Sequence, residues 1–150
     1  MTHTVSAYTS SSLTQNNKLL EREVTKTHEN EARQILIIDR SINYNQFKDE
    51  LVIASAKASL LNLLQQMEIE KNKLYFPLID NHALSSWLNG SFAKITLSIK
   101  GPKRYSRFLS DIKESGLPLF VRKETDFTVS AFGPCIKSKA LHLTKKLQLF

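Results

Sequence analysis

Cysteine occurs once in this sequence, at Cys135, so no internal disulfide framework is available and a reduced, cytoplasmic setting is expected. Histidine is scarce too. His3 and His28 lie in a polar N-terminal stretch, and His82 and His142 stand alone without a partner at metal-ligand spacing, so no metal site is expected. There are four glycines, and none falls in the pattern of a phosphate-cradling loop. No apolar run approaches the roughly 18 residues that a membrane span requires. No basic region followed by an apolar segment opens the sequence, so no secretory signal is expected. Neither an internal repeat nor a collagen-like segment occurs. What remains is a chain of 150 residues, 41% hydrophobic and 23% charged, which fits one domain with a single core.

Acidic residues are short in one region only. Up to residue 99, basic and acidic side chains balance, three against three over 1–30 and seven against seven over 31–99. Residues 100–150 hold eleven Lys and Arg against four acids, which accounts for the whole net charge of +7. Such asymmetry points to an anionic partner, with a solubilising surface as the plain alternative.

Residues 1–17 are rich in Ser, Thr and Asn, and residues 18–33 mix charges of both signs. The expectation is a polar, mobile extension over 1–33 ahead of a folded domain over 34–150. Gln34-Ile-Leu-Ile-Ile-Asp39 reads as a strand buried on both faces. From Lys48 to about Met67, apolar residues and alanines recur at helical spacing. An irregular region precedes a short helix around His82–Leu88, ended by Asn89-Gly90 through a left-handed glycine. Ala93–Ile99 alternates as a strand, and Pro102 opens a helix with the stripe Tyr105, Phe108, Leu109 and Ile112, stopped at Gly116-Leu-Pro. Leu119–Val121 and Thr128–Phe132 are further strands, joined by the link Arg122–Phe127, and Gly133-Pro134 reads as a turn into a short basic helix. This alternation predicts a three-layer α/β domain, a mixed four-stranded sheet with helices on both faces.

In that order, several stretches resemble the type-two peptidyl-tRNA hydrolases. Gln34–Asp39 resembles their opening strand, and Lys48 stands where their strand-to-helix lysine falls. Ala83-Leu-Ser-Ser-Trp-Leu-Asn-Gly90 and Ala93–Ser98 resemble the tryptophan-bearing helix and the strand after it. Ser115-Gly-Leu-Pro118, Thr128–Pro134 and Leu143–Phe150 are similar to the later helix end, final strand and closing residues. The resemblance spans residues 34–150, with a longer insertion near 68–80. An uncharacterised bacterial domain family of the same fold is also similar, above all at the strand-ending Ile-Asp and at Phe-Gly-Pro.

The resemblance implies a hydrolase-like protein acting on, or binding, tRNA or other RNA ends, without a cofactor. On it, Lys48 would neutralise charge, Asp126 would orient water and Thr128 would exchange a hydrogen bond during ester cleavage. The departures fall on the same machinery. Lys48 follows Phe47 where the enzymes have glycine, and Val52 and Ser55 occupy the positions of their glutamine and histidine. The link Arg122-Lys-Glu-Thr-Asp-Phe127 is too short for their Arg-Asp-Ala-Gly-Arg-Thr segment, so ordinary hydrolase activity is doubtful. Otherwise Lys48 is a solvated first-turn lysine, Asp126 a loop residue and Thr128 a strand-starting residue.

Lys100, Lys103, Arg104 and Arg107 form the densest basic group, joined by Arg122 and Lys123 if these face the same end of the sheet, and together they are candidates for nucleic-acid phosphates. Tyr105 falls on the apolar stripe and is expected in the core. Lys137, Lys139, Lys145 and Lys146 make a second basic set. Cys135 follows Gly-Pro at an expected helix start, where a thiol pKa is lowered, but it lacks a nearby base and reads as structural. The second function class is a non-catalytic protein- or ligand-binding module, with a homodimer as its candidate assembly and no membrane partner.

Overall fold

A computed structural model describes residues 31–41 and 43–150. The expected mobile extension therefore lies outside the described residues, apart from 31–33. In chain order the elements are β1 (Ala32–Asp39), α1 (Lys48–Leu64), β2 (Glu68–Glu70), β3 (Lys73–Tyr75), α2 (His82–Asn89) and β4 (Lys94–Ile99). They continue with α3 (Pro102–Glu114), β5 (Leu119–Lys123), β6 (Thr128–Ile136), α4 (Lys137–Thr144) and β7 (Gln148–Leu149). The region 68–75, expected to be irregular, is a two-stranded hairpin of β2 and β3.

The main sheet has the order β5-β6-β1-β4-β7. It is mixed: β1 runs parallel to β4 and antiparallel to β6, and β5 and β7 pair antiparallel with their neighbours. The expected count of four strands becomes five, because the chain folds back after α4 and Gln148 and Leu149 pair with Ser98 and Leu97. Two residues of pairing lie below the length at which strand patterning is legible.

Alternation along β1 sorts the two faces. Ile35 and Ile37 face α3 and α4 in a cluster with Leu97, Ile99, Phe108 and Phe132. Leu36 and Ile38 face α1, packing with Leu51, Ala54, Ala58, Val129 and Ala131. The small side chains of Ala54 and Ala58, both essentially inaccessible, let α1 approach the strands closely. A third cluster joins Ala32 and Leu63 to Leu84 and Trp87 of α2. Helices thus flank the central sheet on both sides.

Three local readings are corrected. Gly133-Pro134 is not a turn after the last strand, since β6 continues to Ile136. The register steps from Arg33↔Cys135 to Ile35↔Phe132, so β6 carries one extra residue there, a bulge that accommodates a proline without an amide donor. Gly133 has φ +83°, and a Cβ would meet the Cys135 amide nitrogen at 2.9 Å. Cys135 accordingly lies in a strand, not at a helix start. Gly90 does not end α2 in the left-handed region; its φ is −106°. Glycine is required there for space, because a Cβ would sit 2.6 Å from the Ser86 carbonyl oxygen.

Candidate site at the carboxyl end of the parallel strands

The registers determine which residues meet at one end of the sheet. Asp39 lies beside Ile99 where the parallel strands end. Ile38 opposes Val129, and Lys123 opposes Thr128, so β5 ends and β6 begins at the same place. α1 starts there at Lys48 and α3 at Pro102, each after the loop leaving its parallel strand. Lys48, Lys100, Lys103, Arg104, Asp126 and Thr128, together with the β5 cations Arg122 and Lys123, are therefore gathered at this end. Crevices outside the carboxyl ends of parallel strands are where open α/β sheets commonly bind ligands. Arg107 lies one turn further along α3.

The two faces of this end differ. On the α1 side, a cleft of about 280 Å³ lies between α1 and the β5–β6 link, with Phe47, Ile53 and Phe127 among its walls. Its charged lining is Glu50, Glu124 and Asp126 against Lys57 and Arg122. Arg122 is already committed, its Nε donating to the Glu124 carboxylate. The link is tight, with the Glu124 amide donating to the Phe127 carbonyl at 2.9 Å. Of the three catalytic candidates only Asp126 lines this cleft. Lys48 is exposed on the first turn of α1, and Thr128 shares the strand face of Ser130, which is turned toward α3. The three do not share one pocket.

On the α3 side the charges are of one sign. Tyr105, Phe108 and Ile112 point into the core, which leaves Lys103, Arg104 and Arg107 exposed on the outer face, with exposed Lys100 just ahead. None of these four makes an ion pair among the described residues. Gly101 gives α3 no side-chain cap, and Pro102 occupies its first turn. A helix start without a side-chain cap and four exposed cations on or just ahead of its first two turns thus stand together, an arrangement favourable to anions. Arg40, exposed at the end of β1, adds a cation that sequence reasoning missed; its Nη1 donates to Gln148 Oε1 at 2.6 Å. Its position directly after the strand-ending Asp39 was the available signal.

Tyr105 is buried, and its hydroxyl is 2.7 Å from Ser130 Oγ. Burial pushes its phenol up to about 12, with the Asp39 carboxylate adding to the effect and the Ser130 hydrogen bond opposing it. It is therefore core, as its stripe implied, and is not presented for stacking. Cys135 is buried as well, and burial pushes its thiol up to about 11 despite the opposing charge of Lys139. Ser98 Oγ, near the end of β4, is buried without a hydrogen-bond partner. Among the described residues, no group of three His, Cys, Asp or Glu is placed to hold a metal ion, and no helix is long and apolar enough to cross a membrane.

The class these features define is a mixed α/β protein whose parallel strands end at an asymmetric rim, of mixed charge on one face and cationic on the other. A comparison with protein-family models gives no match, and neither does one with curated proteins.

Proposed function

We propose that the chain is a type-two peptidyl-tRNA hydrolase-like domain that holds tRNA or other RNA ends by their phosphates, on the α3 side of the sheet's carboxyl end, without ordinary hydrolase activity. One observation carries this reading: Lys100, Lys103, Arg104 and Arg107 are exposed, free of ion pairs among the described residues, and grouped at an uncapped helix start. The absence of ordinary hydrolysis is supported by the other face, where neither Lys48 nor Thr128 lines the cleft that holds Asp126.

Filter binding of tRNA across a salt series tests the reading. Four phosphate contacts give a slope of log affinity against log salt of about −3 to −4. The variant Lys103→Glu with Arg107→Glu should at least halve that slope. No tRNA binding at low salt refutes the proposal. In a parallel assay, wild type and Lys48→Ala should both release peptide from peptidyl-tRNA at the uncatalysed rate, and a faster wild type overturns the loss of activity.

A second reading, a homodimer, rests on α1. Val52, Ala56, Leu60 and Leu64 recur every fourth residue on its exposed side, with Val52 63% and Leu60 55% accessible. Small Ala56 lies midway between Val52 and Leu60, so an antiparallel two-fold pairing places each Val52 against the copy's Leu60. Light scattering that finds only monomer well above micromolar concentration removes this reading.

A further inference from the structure

The cleft between α1 and the β5–β6 link supplies no phosphate contact to the RNA reading, yet its charges are sorted along its length. Glu50 and Lys57 both line it. They lie seven residues apart on α1, hence on one side of the helix and about 10 Å apart along its axis. The Phe47 and Phe127 rings, 6.0 Å between centroids, bring the start of α1 against the link, so Asp126 belongs to the Glu50 end. Glu50, Asp126 and Lys57 are exposed, and none of them makes an ion pair among the described residues. Arg122 and Glu124, the other charges of the lining, neutralise each other. Between the two ends the wall is apolar, with Ile53, 54% accessible, uncovered beside buried Ala54.

Two free carboxylates at one end, a free ammonium at the other and an apolar stretch between them are complementary to a molecule with the opposite charges in the same order. We infer that this cleft binds a small zwitterion, an ω-amino carboxylate whose ammonium sits between Glu50 and Asp126, whose carboxylate meets Lys57 and whose methylenes lie along Ile53. Spacing and volume set its length. An α-amino acid holds its two charges too close together to serve both ends. In 6-aminohexanoate the extended chain from nitrogen to carboxyl carbon spans about 7 Å, and the long side chains of Glu50 and Lys57 close the remainder. At about 30 Å³ for each water-sized group, a cleft of about 280 Å³ holds about nine non-hydrogen atoms, the size of that compound. The inference is independent of the RNA reading, whose four cations lie on the α3 side of the sheet.

Calorimetric titration of the full chain with 6-aminohexanoate tests it, with hexanoate and hexylamine as counterparts that each lack one charge. The zwitterion should bind at least about tenfold more tightly than either, the ratio expected for one more hydrogen bond to a charged group. Lys57→Met should lower its affinity to that of hexylamine and leave hexylamine binding unchanged. Glu50→Gln with Asp126→Asn should lower it to that of hexanoate. All three positions are exposed, so the fold tolerates these changes. In nitrogen-15 spectra the amides of Ile53 and Asp126 should shift as 6-aminohexanoate saturates the cleft. No binding of 6-aminohexanoate at about 10 mM, equal affinity for the three compounds, or an undiminished preference for the zwitterion in Lys57→Met overturns the inference.

Discussion

Gln34 and Ser59 lock α1 to β1, and their coupling is measurable. Gln34 is inaccessible and Ser59 nearly so. Gln34 Nε2 donates to the Ser59 carbonyl at 3.0 Å, while Ser59 Oγ donates to Gln34 Oε1 at 2.6 Å. Gln34→Met removes both bonds and strands the Ser59 hydroxyl in the interior, which should cost about 2–3 kcal/mol. Ser59→Ala removes one bond and leaves Gln34 Oε1 unpaired, costing about 1–3 kcal/mol. With both changes no unpaired side-chain group remains, so the double variant should lose about 2 kcal/mol less than the sum of the single losses. Against a total stability of about 5–15 kcal/mol, that difference is large. Urea unfolding followed through Trp87, the sole tryptophan and 1% accessible, reports it directly. A double variant whose loss equals the sum of the two singles would refute the reasoning, because the two side chains would then act independently.

Three further outcomes follow from the structure. Gly90→Ala forces a Cβ against the Ser86 carbonyl and should cost about 1–3 kcal/mol, read as a lowered urea midpoint; an unchanged midpoint contradicts the crowding at the end of α2. Cys135 and Tyr105 are both raised, from 9.0 to about 11 and from 10.0 to about 12. Their contribution is complete below the unfolded values and is lost as pH rises through the folded ones, so stability should fall between about pH 9 and 12. Cys135→Ala should flatten the lower part of that fall, and a curve identical to wild type rejects the assignment. Trp87→Phe loses the Nε1 donation to the Ala93 carbonyl at 2.7 Å and should leave the junction of α2 and β4 less protected from amide exchange than the rest of the sheet.

Much of the architecture was legible because it rests on periodicity. Four consecutive aliphatic residues in β1, the alternation of β4 and the stripe of α3 each announce which face is buried, and alternating elements then imply a covered mixed sheet. What escaped depends on contacts distant in sequence. At the bulge around Gly133-Pro134, the Gly133 carbonyl accepts from both Asn62 and Gln66, residues about seventy positions away. Gly90 was read through its commonest conformational use, whereas the carbonyl of Ser86 imposes a steric one. At the candidate site, clustering along the chain pointed to the basic group of α3, but Asp126 and Thr128, two residues apart, part company because the tight 124–127 link turns Asp126 to the α1 side while Thr128 opens β6 on the face of Ser130.

The pairing of Gln148 and Leu149 with β4 has a bearing on how the molecule avoids sticking to itself. With the Phe150 amide donating to the Thr96 carbonyl, these residues occupy the hydrogen-bonding groups along one outer margin of the sheet. The other margin, β5, ends in Arg122 and Lys123 and follows Pro118, features that discourage docking of a foreign strand. Removal of 148–150 would uncover a run of unsatisfied amides and carbonyls beside Ile95 and Leu97, a template for intermolecular β-pairing.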